Sequence, residues 1–122
     1  MHYMTKFAMG MQAQKAVEIH LLNKGYDILE RNYRTKTGEI DLIARDKNYV
    51  VFIEVKFRKN INYGLPREAV SYKKQQRIIN TAVDYIEKMQ LTCQDLRFDV
   101  AEVLIDDRMM KIEHIENAFD GA

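Results

Sequence analysis

The chain has 122 residues, 47% of them apolar and 30% charged, which suits one globular domain with a single core and leaves no room for a second. The single cysteine, Cys93, rules out an intramolecular disulfide. With no apolar leader and no run approaching a membrane span, the composition predicts a cytoplasmic protein with no membrane partner. Three scattered histidines, no Gly-rich phosphate loop and no Gly-x-Ser-x-Gly elbow leave zinc, P-loop and serine-nucleophile chemistry without support.

From the N-terminus, Ala13, Ala16, Val17, Leu21 and Leu22 recur at three- and four-residue spacing, and Gly25 follows as a terminator. This predicts a helix from about Gln12 to Lys24, with Gln14 and Glu18 sharing a face beside the stripe. A strand from Tyr26 to about Tyr33 comes next, and Thr37-Gly38 turns the chain. Glu39 to Arg45 and Tyr49 to Phe57 are then two runs rich in β-branched residues around the polar Asp46-Lys47-Asn48, which reads as a β-hairpin. A loop, Arg58 to Pro66, contains Arg58, Lys59 and Tyr63 and the only proline; its composition suits a mobile segment closing over a substrate. A second helix is expected from Ser71, as N-cap, to about Met89, with Ile78, Ala82, Tyr85, Ile86 and Met89 as its buried stripe. Strands from Leu96 to Ile105 and from Lys111 to Ile115 complete the sheet. The fold class is therefore α/β, an αβββαβ core with a mixed central sheet flanked by helices, in one domain spanning 1–122; its core covers about 12–105, with 1–11 and 117–122 as flexible ends.

The hairpin carries the chemistry. With its turn centred between Lys47 and Asn48, Asp41 falls opposite Glu54 and Glu39 opposite Lys56, so three carboxylates and an ammonium share one face. Ile40, Leu42, Ala44, Val51, Ile53, Val55 and Phe57 make the other face, which is core. Opposed carboxylates destabilise a ladder, and a divalent cation relieves them. Oxygen ligands alone suit Mg²⁺ or Mn²⁺. A surface salt-bridge ladder, Glu39 with Lys56 and Asp41 with Arg34 or Arg58, accounts for the same residues without a metal.

The net charge of +1 hides a strong asymmetry. Residues 31–77 hold twelve basic and five acidic side chains, whereas residues 78–122 hold four basic and ten acidic. A polyanion would dock on the basic centre, for which Arg34, Arg58, Lys59, Lys73 and Arg77 are the candidate contacts. Lys73, Lys74 and Arg77 also crowd the start of the second helix, where the dipole disfavours cations, so an anion is expected nearby. Exposed lysines screened by salt explain Lys74 equally well.

Asp41 followed thirteen positions later by Glu54-Val55-Lys56, within an αβββαβ order, resembles the PD-(D/E)xK restriction-endonuclease-like superfamily. The phrases Arg31-Asn32-Tyr33-Arg34, Gly38 to Ala44, Phe52 to Lys56 and Arg97-Phe98-Asp99-Val100 resemble more closely the bacterial YraN family, small proteins akin to Holliday-junction resolvases. The resemblance implies a nuclease-like fold with Asp41, Glu54 and the Val55 backbone carbonyl as metal ligands. Lys56 would be the catalytic lysine and Glu39 would support it. Families of this type often place a glutamate on the first helix; Gln14 stands at that position here, with Glu18 one turn later as a possible substitute. The resulting expectation is an Mg²⁺- or Mn²⁺-dependent endonuclease hydrolysing DNA phosphodiesters, branched or junction DNA included. Symmetric junction resolution would require a homodimer. A non-catalytic nucleic-acid-binding module of DNA repair or recombination is the alternative, and a protein-interaction domain using the acidic last third is a third class.

Overall fold

The computed structural model describes residues 5–59, 70–106 and 109–120. The elements run α1 (Lys6–Asn23), β1 (Asp27–Thr35), β2 (Gly38–Asp46), β3 (Tyr49–Lys59), α2 (Tyr72–Lys88), β4 (Asp95–Asp106) and β5 (Met109–Phe119). The order is the expected αβββαβ with one further strand, and the five strands form one mixed sheet in the order β1-β2-β3-β4-β5. Only β3 and β4 are parallel, and α2 provides the crossover between them.

Each helix covers one face of the sheet. Ala13, Val17 and Leu21 of α1 pack on Leu42, Ala44, Val51, Ile53, Ala101 and Val103. Ile78, Ala82, Tyr85 and Ile86 of α2 pack on the opposite face, against Ile43, Val50, Phe52, Phe98 and Val100. Helix α1 begins at Lys6, well before the expected Gln12, because the Thr5 hydroxyl caps it by accepting from the Ala8 N–H at 3.0 Å. It ends where Gly25, at φ 90°, closes a Schellman pair: Tyr26 N–H bonds to the Leu21 carbonyl and Gly25 N–H to that of Leu22, each at 3.0 Å. Ser71 caps α2 as read from the sequence, accepting from the Lys74 N–H at 3.2 Å. The β1–β2 turn tucks against α2, where Gly38 leaves room that a Cβ would fill 3.2 Å from Thr81 Oγ1, and Thr37 bonds to Thr81 and Asp84.

The hairpin register is the expected one at its turn end, Asp46 opposite Tyr49 through Leu42 opposite Ile53, with Lys47 left-handed at φ 56°. Beyond Leu42 the sequence expectation fails. Ile40 belongs to the α2-side core with Ile43, not to the α1 side with Leu42. The cause lies on the neighbouring strand, where Asn32 is left-handed at φ 51° between the pairs Arg31–Leu42 and Tyr33–Ile40. Arg31 consequently reaches α1 through Glu18, while Tyr33, two residues on, stacks edge to face on Tyr85 of α2. Two residues apart in a regular strand would face the same way. Both β1 and β2 thus switch faces at one level of the sheet, and Asp41 sits at the switch.

Candidate functional site

At the switch the β2–β3 ladder stops, and a side chain takes over from the backbone: the Val55 N–H donates to Asp41 Oδ2 at 2.8 Å. In a strand the N–H and C=O of one residue point the same way, so the Val55 carbonyl also faces the gap left by β2. Glu54 is buried, 6% exposed. Its Oε2 makes no well-directed hydrogen bond among the described residues; what it has is the Lys74 ammonium, 2.6 Å away across from α2. Burial pushes the Asp41 carboxyl up, to about 8, and the hydrogen-bonded, like-charged Glu54 beside it pushes the same way; the Val55 N–H and Lys74 oppose this without cancelling it.

Two clefts open at this point. One, of about 420 Å³, lies on the α2 side and is lined by Asp41, Glu54, Glu39, Lys73, Lys74 and Arg77. The other, of about 790 Å³, lies on the α1 side, and Asp41 is in its wall too, beside Gln14, Glu18, Asn32 and Val55. The structure therefore brings Asp41, Glu54, Lys73 and Arg77 together at the α2-side cleft, with Val55 in the wall of the α1-side cleft and Asp41 common to both. Lys56 follows Glu54 by two residues on the same strand and is half-buried.

Other expected members are committed elsewhere. The predicted pairing of Glu39 with Lys56 does not form, because the ladder has already ended; Glu39 takes Arg34 instead, Nη2 to Oε2 at 3.1 Å. Arg58 turns to Glu102 of β4 at 3.3 Å. Glu18 is held by Arg31, whose Nε donates to Oε1 at 2.9 Å, and this contact keeps its carboxyl below the usual range. Gln14 donates through Nε2 to Asn32 Oδ1 at 3.1 Å. The Lys59 side chain and the predicted closing loop with Tyr63 lie outside the described residues.

Sequence reasoning missed Lys74 as a site residue, since its partner lies on another element. The anion expected near the start of α2 is Glu54, at least for Lys74. Whether two carboxylates suit a cation is answered by their chemistry. Both are withdrawn from water side by side, one oxygen lacks a directed donor, and a carbonyl faces the same gap, an all-oxygen set that fits Mg²⁺ or Mn²⁺. No group of three or more His, Cys, Asp or Glu side chains placed to hold a metal ion occurs among the described residues; Asp41 and Glu54 form a pair, with Glu39 elsewhere in the wall of the same cleft.

The sequence of residues 13–103 matches the model of the uncharacterised protein family UPF0102. The chain belongs to the UPF0102 family. This is the YraN family of the sequence resemblance. It is 46% identical to the UPF0102 protein of Clostridium acetobutylicum over 98% of each chain. It is 43% identical to that of Caldanaerobacter subterraneus subsp. tengcongensis, over 98% of this chain and 100% of the other. The UPF0102 protein of Thermodesulfovibrio yellowstonii is 46% identical over 95% and 99% of the two chains. A solved structure titled "Crystal structure of SSO0001" superposes on this UPF0102 chain with a TM-score of 0.40 at 17% identity, over 98% of this chain and 55% of that one, a likeness too slight to carry argument. Among the described residues no helix is long and apolar enough to cross a membrane.

Proposed function

We propose that this UPF0102 chain is a metal-dependent endonuclease that hydrolyses DNA phosphodiesters at Asp41 and Glu54, branched or junction DNA among its substrates. The observation that carries the reading is a pair of carboxylates that share one lysine. Half-buried Asp41 and buried Glu54 lie side by side at a point where the ladder has been opened for them, facing a cleft whose far wall is cationic. An arrangement that raises the pKa of Asp41 costs folding free energy, and sites that bear such a cost are disproportionately functional.

Asp41, Glu54 and the Val55 carbonyl would hold Mg²⁺ or Mn²⁺, which supplies Lewis acidity to the scissile phosphate and to an attacking water. The protein's own groups do the rest. The Val55 N–H fixes Asp41, so the carboxylate is oriented before anything binds. Lys73 and Arg77, exposed on α2, grip phosphates without reading sequence. Lys74, half-exposed at its tip, can move from Glu54 to a phosphate oxygen. Lys56, half-buried two residues beyond Glu54, would neutralise the charge that develops on the phosphate oxygens in the transition state. Glu39 holds Arg34 at the mouth of the cleft.

A second reading, a nucleic-acid-binding module without cleavage, has its own support: Lys74 already neutralises Glu54, and Gln14 brings no charge from α1. The experiment that decides is incubation with linear, nicked and four-way-junction DNA in Mg²⁺, Mn²⁺ or chelator. Cleavage in metal that disappears with chelator and in Glu54→Ala is the expected result. Binding without cleavage across that panel would establish the module instead.

A further inference from the structure

The α1-side cleft shares Asp41 and Val55 with the site above, but the rest of its lining differs in kind from that of the α2-side cleft. Phe57 of β3 and Phe7 and Met11 of α1 supply apolar surface; Phe7 and Met11 are 78% and 60% exposed, with none of the described residues covering them. Lys6 and Lys15 stand along the same stretch of helix. Gly10 interrupts that helix, although glycine in a helix interior costs about 1 kcal/mol relative to alanine. A Cβ there would lie 3.2 Å from the Phe57 ring, so the glycine lets the ring lie against the helix as part of the cleft wall.

At the end nearest Asp41 the lining becomes polar, through the bonded pair Gln14 and Asn32. Whichever way the two amides are turned, one spends an N–H and the other a carbonyl, and each keeps groups to spare. A donor and an acceptor side by side, next to an apolar wall and flanked by ammonium groups, complement the edge, the face and the phosphates of a nucleotide. The volume, about 790 Å³, admits a base and its sugar but not a duplex.

We infer that the α1-side cleft receives the base of an unpaired nucleotide adjoining the phosphate held at Asp41 and Glu54, so that the chain acts on single-stranded or locally unpaired DNA. This rests on the reading of those carboxylates as the phosphate site, and on Asp41 being common to both clefts. A paired base is stacked within its helix and cannot enter a side cleft without leaving its partner. Stacking on an aromatic wall is tolerant of base identity, so preference for unpaired over paired DNA is expected to exceed preference among bases. As a neutral amide, Gln14 can donate to or accept from a base edge.

The test uses the full chain in chelator, so that binding is read without cleavage, and follows fluorescence anisotropy of three probes: a thymidine oligomer, an abasic oligomer of the same length and a blunt duplex. The thymidine oligomer should bind about tenfold more tightly than the abasic one, the scale of one aromatic stack. Phe7→Ala, at a position too exposed to threaten folding, should remove that advantage and leave the abasic affinity unchanged. Gln14→Ala should reduce it in the same selective way. Equal affinity for the thymidine and abasic oligomers, or a Phe7→Ala loss shared by both, would overturn the inference. The two readings fail separately. A protein that prefers bases yet cuts nothing in Mg²⁺ or Mn²⁺ keeps the pocket and loses the nuclease. One that cuts and ignores bases does the reverse.

Discussion

Asp41 and Asp99 lie at the two ends of one hairpin's neighbourhood, both withdrawn from water by the same sheet, and their carboxyls shift in opposite directions. Burial alone would raise Asp99, which has no exposed surface. Its oxygens are instead saturated: His114 Nε2 lies at 2.7 Å, Arg97 donates from Nε at 3.0 Å and from Nη2 at 2.9 Å, and the Asn117 N–H donates at 2.9 Å. These outweigh burial and hold the carboxyl below the usual range. Arg97 also donates to Asp46 at the end of β2 and to the Tyr26 hydroxyl just before β1, and it pairs with Glu116 of β5 at 3.1 Å, so one guanidinium on β4 ties β2, β5 and the approach to β1 together. At the other end Asp41 has a single N–H and a lysine shared with Glu54, and its carboxyl rises. Burial therefore does not by itself set the direction: fully buried Asp99 shifts down and half-buried Asp41 shifts up. Where the partners close the account the carboxylate is structural; where they are withheld it is available to a ligand.

The sharpest way to break this comparison is to remove Asp99. Asp99→Ala leaves the buried Arg97 without its main partner, so it should destabilise the protein by about 3–5 kcal/mol, read from urea unfolding. Asp41→Ala should cost far less. Equal losses at the two positions would mean that Asp41 is as structural as Asp99.

The next largest effect is expected in catalysis. Lys56→Ala should slow cleavage by about 10² or more, the loss of one electrostatic donor at roughly 2.7–4 kcal/mol, while DNA affinity stays within a few-fold. A parallel fall in affinity and rate would make Lys56 one phosphate contact among several.

Much of this contrast was written in local sequence, and the remainder could not have been. The hairpin register followed from Asp46-Lys47-Asn48 and strict alternation, and the cap at Ser71 from residue type. Alternation was then extrapolated three pairs too far, past Leu42–Ile53 to Glu39–Lys56. The interruption comes from the left-handed Asn32 on another strand, and its only trace in sequence is that asparagine tolerates that conformation. Lys74 could not be assigned because periodicity does not say which strand faces the first turn of α2. Arg97 and Asp99 had entered only through a family resemblance. A physical signal was present nonetheless: opposite charges two residues apart lie on one face of an otherwise apolar strand, where they must be buried together. The early start of α1 escaped because its first turns bury none of their residues.

A third, smaller effect isolates Asp41 by pH. Its folded pKa is raised to about 8, so the folded protein retains a proton that the unfolded chain gives up near the ordinary carboxylate value. The stability this provides is complete below about pH 4 and is lost as pH rises through about 8. Glu54 and Lys74 face the group, and Asp41→Asn removes the titration while its Oδ1 can still accept from the Val55 N–H. In chelator the variant should match the parent near pH 4 and exceed it by about 1–3 kcal/mol at pH 8 and above. Above about pH 5 Asp99 contributes no slope, being ionised in both states. Added Mg²⁺ should raise the melting temperature of the parent and leave the variant unmoved. A variant less stable than the parent at pH 8 would assign Asp41 to a salt bridge after all.

The smallest effect concerns Glu39, whose place beside Asp41 in the cleft invites a catalytic role that its contacts do not support. Its partner is Arg34, and both side chains are substantially exposed, at 38% and 74%, where an ion pair is screened and contributes little. Glu39→Gln should therefore change stability by no more than about 0.5 kcal/mol. It should also leave the Mg²⁺-induced melting shift intact, because the cation ligands we propose are Asp41, Glu54 and the Val55 carbonyl. Freed of Glu39, Arg34 would tighten binding to DNA slightly and the affinity would become somewhat more salt-dependent, as one more cation engages phosphate. A melting shift that vanished in Glu39→Gln would instead place a third carboxylate around the cation, and the open end of the hairpin would then hold its ligand more fully than the present side-chain contacts indicate.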